Sequence, residues 1–169
     1  IYLFETSSAD KVKYINDSVI FIRNNIKKNN LIIIDYAYNL MNINNTLKEA
    51  KNLDHHKLIT IIGQGGERRQ DKRSQIGKLV TENSDYTIFT SDNPRHEKEE
   101  DIVHEMTSEL EEENYQTILN RKEAIKKGIN MLEEKDILLI LGKGHEDYQI
   151  IGNDKFPFKD KTEVLKIIK

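Results

Sequence analysis

Short runs of β-branched and aliphatic residues recur along the chain with longer mixed segments between them. This alternation predicts a parallel sheet with helices packed on its faces. Leu31-Ile32-Ile33-Ile34 is the clearest run, and others fall at residues 57–62, 86–90, 115–119 and 137–141. Each is nearly continuous in apolar character, as a strand covered on both faces must be, so five such strands are expected. The intervening segments carry apolar residues at helical spacing: Leu47, Ala50 and Leu53; Ile76, Leu79 and Val80; Ile102, Val103, Met106 and Leu110; Ala124, Ile125, Ile129 and Leu132. Four helices follow from that spacing. Beyond Glu146 the pattern changes. Tyr148-Gln149-Ile150-Ile151 and Lys155-Phe156-Pro157-Phe158 flank Gly152-Asn153-Asp154, which predicts a hairpin with a turn of about three residues. A last helix is expected over residues 161–168.

The fold class is therefore α/β: a Rossmann-like, mainly parallel sheet of about five to six strands with flanking helices and a short C-terminal β-hairpin. Residues 18–23 are a candidate edge strand, and the Asn- and Lys-rich stretch at 24–30 looks like a connection. Residues 1–30 are accordingly read as a leading segment or linker and 31–169 as the domain. At 169 residues the chain can bury roughly 70% of its unfolded surface in a single core. Its 26 basic and 29 acidic residues leave a net charge of −3, without the basic excess that marks a nucleic-acid partner. Cysteine is absent, which removes thiolate catalysis and Cys-ligated zinc and fits a reducing compartment. No apolar run reaches the roughly 18 residues of a membrane helix, and the start, Ile1-Tyr2-Leu3-Phe4-Glu5-Thr6, lacks a signal-peptide pattern. The expectation is a soluble, cytoplasmic protein without membrane or nucleic-acid partners. A chain that begins at Ile1 is also expected to be a fragment.

In an open α/β sheet, ligands collect outside the carboxyl ends of the strands, so the residues just after each strand are the ones to read. They are Asp35-Tyr36-Ala37-Tyr38-Asn39, Gly63-Gln64-Gly65-Gly66-Glu67-Arg68, Ser91-Asp92-Asn93-Pro94-Arg95 and Gly142-Lys143-Gly144-His145-Glu146. Together they would place Arg68, Arg95, Lys143, Asn93 and Glu146 around one rim. That mixture suits a zwitterion, because arginines fork onto carboxylates and Glu146 can accept from an ammonium. Bland readings stand beside it: Gly63-Gln64-Gly65-Gly66 as a tight turn, and Asp92-Asn93-Pro94 as a turn and helix cap. No Gly-x-x-x-x-Gly-Lys-Ser/Thr occurs in the chain, so it cannot cradle ATP in the P-loop manner. The five histidines show no compact ligand spacing, and no metal site is expected. The acidic run at 109–113 reads as a solvated helix end, and covalent catalysis has no candidate nucleophile of note.

In this order and spacing the four segments resemble the C-terminal domain of the Mur ligases, and the similarity runs from about Leu31 to the C-terminus. Asp92-Asn93-Pro94-Arg95 together with Gly142-Lys143-Gly144-His145-Glu146-Asp147-Tyr148-Gln149-Ile150 carries it. The resemblance implies an ATP-dependent carboxylate-amine ligase of peptidoglycan synthesis, of the branch that adds meso-diaminopimelate to UDP-N-acetylmuramoyl-L-Ala-D-Glu. The implied reaction activates the dipeptide carboxylate as an acyl phosphate and joins it to the incoming amine, releasing ADP and phosphate. By similarity Asn93 and Arg95, within Asp92-Asn93-Pro94-Arg95, would hold the amino acid. Glu146 and the Gly142 backbone would meet its far end, and Arg68 a carboxylate. Asp35 would contact the nucleotide ribose, with Tyr38 and the basic pair Lys72 and Arg73 on the nucleotide side. Tyr38 stands where the family usually has His, Leu40 where it has Pro, and Glu67 where Asp is more common. The family's Pro-Gly-Arg segment upstream has only Arg23 as a loose counterpart. ATP and Mg²⁺ would be held mostly by a central domain, and the UDP-sugar by an N-terminal one, neither of which this sequence contains. The chain is thus expected to be an excised acceptor domain or a truncated paralogue, inactive alone. A non-catalytic module that senses a diamino acid or nucleotide uses the same pocket, and an unrelated nucleotide-binding domain is the third reading.

Overall fold

The computed structural model describes residues 19–24, 29–68 and 70–168, with only the backbone described for 21–24. The remaining part of the leading segment, including Asn16-Asp17-Ser18, lies outside the described residues. The sheet has six strands: β1 (Ile20–Asn24), β2 (Asn30–Asp35), β3 (Leu58–Ile62), β4 (Tyr86–Phe89), β5 (Tyr115–Thr117) and β6 (Ile137–Leu141). Their spatial order is β1-β2-β6-β3-β4-β5. All neighbours are parallel except β1, which pairs antiparallel with β2 at the edge. The expected fold class is borne out. The predicted edge strand at 18–23 is β1, and the run at 115–119 contributes only three residues.

Period-two alternation assigns the core to two layers. Ile33, Leu58, Ile62, Phe89, Leu139 and Leu141 face one layer with α1 (Leu40–Lys51), α2 (Arg73–Glu82) and α3 (Glu99–Thr107). Ile32, Ile34, Ile59, Ile61, Leu138 and Ile140 face the other with α4 (Arg121–Met131) and α5 (Asp160–Ile167). Asn39 caps α1 by accepting from the Asn42 amide at 2.9 Å, and Asn120 caps α4 through the Glu123 amide at 3.1 Å, each satisfying an orphan donor of a first turn.

After β5 the chain crosses to the second face and inserts β6 between β2 and β3. Asp35 and Ile62 both sit beside Leu141 in the register, so the loops after β2, β3 and β6 start level with one another. The hairpin of β7 (Tyr148–Ile151) and β8 (Asp154–Pro157) forms a separate two-stranded sheet. Its turn has two residues, shorter than expected, because Asp154 already pairs with Ile151. Gly152 there takes φ +59°, a conformation that costs glycine little. The Arg95 backbone holds the hairpin to the sheet: its amide donates to Ile150 O at 3.1 Å, and its carbonyl accepts from the Gly152 amide.

Candidate functional site

The four post-strand segments meet at the carboxyl edge of the sheet around a cavity of about 350 Å³. Of the substrate-side residues expected from sequence, Arg68, Asp92, Asn93, Arg95, Gly142 and Glu146 line it. Pro94 does not; it is buried beneath, with its carbonyl packed so close to Gly66 that a Cβ there would fall 1.8 Å from the oxygen. Gly66 is therefore required by the close approach of two loops. The Gly66 amide donates to Asn93 O at 2.9 Å, which locks the β3 and β4 loops together.

The inner end of the cavity is a charged network built on Lys143, whose side chain is fully buried. Its ammonium donates to Asn93 Oδ1 and Glu146 Oε2, both at 3.0 Å, and lies 3.6 Å from Asp92 Oδ1. Asn93 Nδ2 donates to Glu146 Oε2 at 2.9 Å, and Asn93 Oδ1 also accepts from the Ile150 amide at 2.9 Å. Asp92 and Asn93 thus turn inward and do not cap the following helix, whose N-cap residue is Lys98. Burial pushes the Asp92 carboxyl above the usual carboxylate range, against the opposing pull of Arg121 and Lys143. The hydroxyl of Tyr36 lies 3.5 Å from Glu146 Oε1, and its acidity is lowered by burial first and by the Glu146 charge second. Gly142, at φ +110°, would place a Cβ 2.6 Å from Asp92 Oδ2, so this turn too requires glycine.

Arginines and a lysine occupy the outer part. Arg95 sits at φ +55°, and its Nη1 donates to Gly66 O at 2.8 Å and to Asn93 O at 3.3 Å. These bonds hold one edge of the guanidinium and leave the rest of the fork to the cavity. Arg68 and Lys72 line the cavity as well. The arrangement offers an anionic acceptor at the inner end and cations further out, a match for a small molecule carrying both charges.

On the expected nucleotide side, Tyr38 and Lys72 reach the cavity but Asp35 and Arg73 do not. Asp35 lies just behind, its Oδ2 accepting from the Thr46 hydroxyl at 2.6 Å. Arg73 is directed away. Its guanidinium donates to Glu97 at 2.7 and 3.1 Å, to Glu105 Oε2 at 2.8 Å and to Gly65 O at 3.1 Å, and its side chain is 1% exposed. It ties α2 to α3 and to the glycine loop. Hydrogen bonding from Arg73 holds the Glu97 carboxyl below its usual range, against burial.

Sequence reasoning left out Tyr36 and Gln64, both of which line the cavity, although each stands in a post-strand segment. It also left out the buried pair of Arg121 and Asp160. Arg121 meets both Asp160 oxygens at 2.8 Å and reaches Ser91 O at 3.3 Å and Leu141 O at 3.1 Å, clamping the ends of β4 and β6 beneath the site. Among the described residues no group of three or more His, Asp or Glu side chains is placed to hold a metal ion, and no helix is long and apolar enough to cross a membrane.

Fold and site together define an open α/β domain with a charged cavity at the carboxyl edge of its sheet. The chain belongs to the Mur ligase family: the family profile described as "Mur ligase, glutamate ligase domain" matches residues 21–144. It is 46% identical over 149 residues to the UDP-N-acetylmuramoyl-L-alanyl-D-glutamate--2,6-diaminopimelate ligase 2 of Clostridium acetobutylicum, covering 87% of this chain and 30% of that protein. With the 2,6-diaminopimelate ligase of Rickettsia rickettsii it shares 47% identity over 143 residues, covering 83% of this chain and 30% of the relative. The chain thus spans about 30% of the length of these curated relatives. A solved UDP-N-acetylmuramoyl-L-alanyl-D-glutamate--2,6-diaminopimelate ligase superposes with a TM-score of 0.84 at 32% identity, covering 90% of this chain and 31% of that one. A murein peptide ligase from Psychrobacter arcticus, at 18% identity and a TM-score of 0.60, covers 88% of this chain and 29% of its own and shares the fold.

Proposed function

We propose that this chain is the amino-acid acceptor domain of a cytoplasmic, ATP-dependent ligase that adds meso-diaminopimelate to UDP-N-acetylmuramoyl-L-Ala-D-Glu in peptidoglycan synthesis. The observation that carries the reading is the convergence of Arg68, Arg95, Asn93 and Glu146 on one cavity at the carboxyl edge of the sheet, with relatives named as 2,6-diaminopimelate ligases. In this reading Glu146 Oε1 and the Gly142 backbone take the far end of the amino acid. Arg95 takes the distal carboxylate, Arg68 a second carboxylate, and Asn93 holds the amino acid by way of Glu146, to which its Nδ2 donates. Asp92 and Pro94 shape the loop behind them. The domain contributes orientation. Holding the amine against the activated carboxylate replaces a bimolecular encounter, a gain of as much as roughly 7–11 kcal/mol in ideal cases.

ATP supplies the activation of the dipeptide carboxylate. On this chain the residues that fit a nucleotide are Asp35, whose Oδ1 is left by Thr46 for a ribose hydroxyl, and Lys72 and Tyr38 at the cavity mouth. Arg73 is committed elsewhere, so Lys72 carries the basic contact of the pair. The triphosphate and Mg²⁺ would fall to a P-loop domain that closes on this one, as would the UDP-sugar to a further domain. The test is a chimaera in which this chain replaces the corresponding domain of the Clostridium acetobutylicum relative. Mass spectrometry should find the tripeptide product with meso-diaminopimelate and ATP, and the 169-residue chain alone should neither hydrolyse ATP nor bind it with submicromolar affinity. A folded chimaera without product would overturn the reading.

A further inference from the structure

Lys143 is the only lysine among the described residues that is fully buried. An ammonium taken out of water is costly unless its protons are matched. Here three protons face three acceptors: Asn93 Oδ1 and Glu146 Oε2 at 3.0 Å and Asp92 Oδ1 at 3.6 Å. Glu146 Oε2 also accepts from Asn93 Nδ2 at 2.9 Å, whereas Oε1 has only the Tyr36 hydroxyl at 3.5 Å. One carboxylate oxygen is saturated from behind. The other faces the cavity.

We infer that Lys143 is a positioning residue for amino-acid recognition: it neutralises one of the two carboxylates at the inner end of the cavity and pins Glu146 so that Oε1 alone is presented to the ligand's ammonium. The inference deepens the acceptor-domain reading and rests on it. Two adjoining carboxylates without a cation between them tend to share a proton, and a protonated Glu146 is a poor ammonium acceptor. The groups facing this pair are Lys143 and Tyr36, with the Tyr148 ring 5.7 Å from the ammonium, and Arg121 and Asp160 behind Asp92. Arg121 is bonded to Asp160 and acts on Asp92 and Glu146 only through space, so Lys143 is the cation in direct contact with Glu146.

The test is a chemical-shift titration of the 169-residue chain with meso-diaminopimelate, using wild type, Lys143→Met, Glu146→Gln and the double variant. Near pH 6, Lys143→Met should bind about ten- to a hundredfold more weakly than wild type, the range for a lost charge-assisted contact. The loss should shrink as pH is raised and the shared proton leaves. The double variant should lose no more than Glu146→Gln alone, because Lys143 acts through Glu146. Additive losses with a pH-independent ratio would overturn the inference, as would a folded Lys143→Met that binds like wild type. A wild type that does not bind at all would overturn the acceptor reading and this inference with it. If Lys143→Met does not fold, the wild-type ammonium decides: its nitrogen signal should persist at neutral pH and move on addition of meso-diaminopimelate. Exchange as fast as that of surface lysines, indifferent to ligand, would overturn the inference.

Discussion

Replacing Arg95 with alanine removes two things of different kind, and the structure allows them to be separated. Nη1 bonds to Gly66 O and Asn93 O, contacts that hold the β3 and β4 loops whatever the ligand is. Each costs about 0.5–1.5 kcal/mol to lose, and that loss should fall equally on every amino acid. The remaining face of the fork is the part offered to the distal carboxylate of meso-diaminopimelate, a charge-assisted contact of about 1.5–3 kcal/mol. Lysine lacks that carboxylate. In the wild-type site lysine would also leave Arg95 unpaired, which brings the expected preference for meso-diaminopimelate to about 10²- to 10⁴-fold. Arg95→Ala removes both terms and should therefore lower kcat/KM for meso-diaminopimelate about 10²- to 10⁴-fold more than for lysine. The assay is steady-state ligation by the chimaera with both amino acids. An equal loss for the two would mean that Arg95 braces the loop and does not read the carboxylate.

Other consequences concern stability and pH. Gly66→Ala would set a methyl 1.8 Å from Pro94 O, and the forced shift of the two loops should cost about 1–3 kcal/mol in urea unfolding; a variant as stable as wild type would refute the close approach. Arg121→Met leaves Asp160 buried without its partner and should cost about 3–5 kcal/mol by the same measurement. A loss below about 1 kcal/mol would show that the pair is not the clamp described. Glu97 is held below its usual range by Arg73, so its contribution is present above the unfolded value of about 4.3 and is lost as pH falls through the lower folded value. Urea midpoints should accordingly drop below about pH 4.3 in wild type and drop less steeply in Glu97→Gln. Identical slopes in the two would argue against the pair.

The strands and the rim were legible because their signals are local. Residues 31–34, 58–62 and 137–141 are covered on both faces and so read as unbroken apolar runs. Residues directly after such strands reach the carboxyl edge by topology alone. What was not legible depends on partners distant in the chain. Lys72 and Arg73 were given a shared nucleotide-side role by the family resemblance. Yet Arg73 opens α2 pointing inward to Glu97 and Glu105, 24 and 32 residues away, while Lys72 faces the cavity. Adjacent residues at a helix start project in different directions. Lys143 looked like one more rim cation, and nothing local marks it as the buried centre of the network. Arg121 finds Asp160 across 39 residues, from another helix. The hairpin turn was read one residue too long because Asp154, a common turn residue, already pairs in the ladder.

The most direct test of the central claim is a crystal structure of this chain soaked with meso-diaminopimelate. The amino acid should lie in the cavity at the carboxyl edge, one ammonium within hydrogen-bond distance of Glu146 Oε1 and a carboxylate on Arg95. Density for the ligand elsewhere, or in the cavity with its carboxylates at Glu146 and no contact to Arg95, would contradict the account.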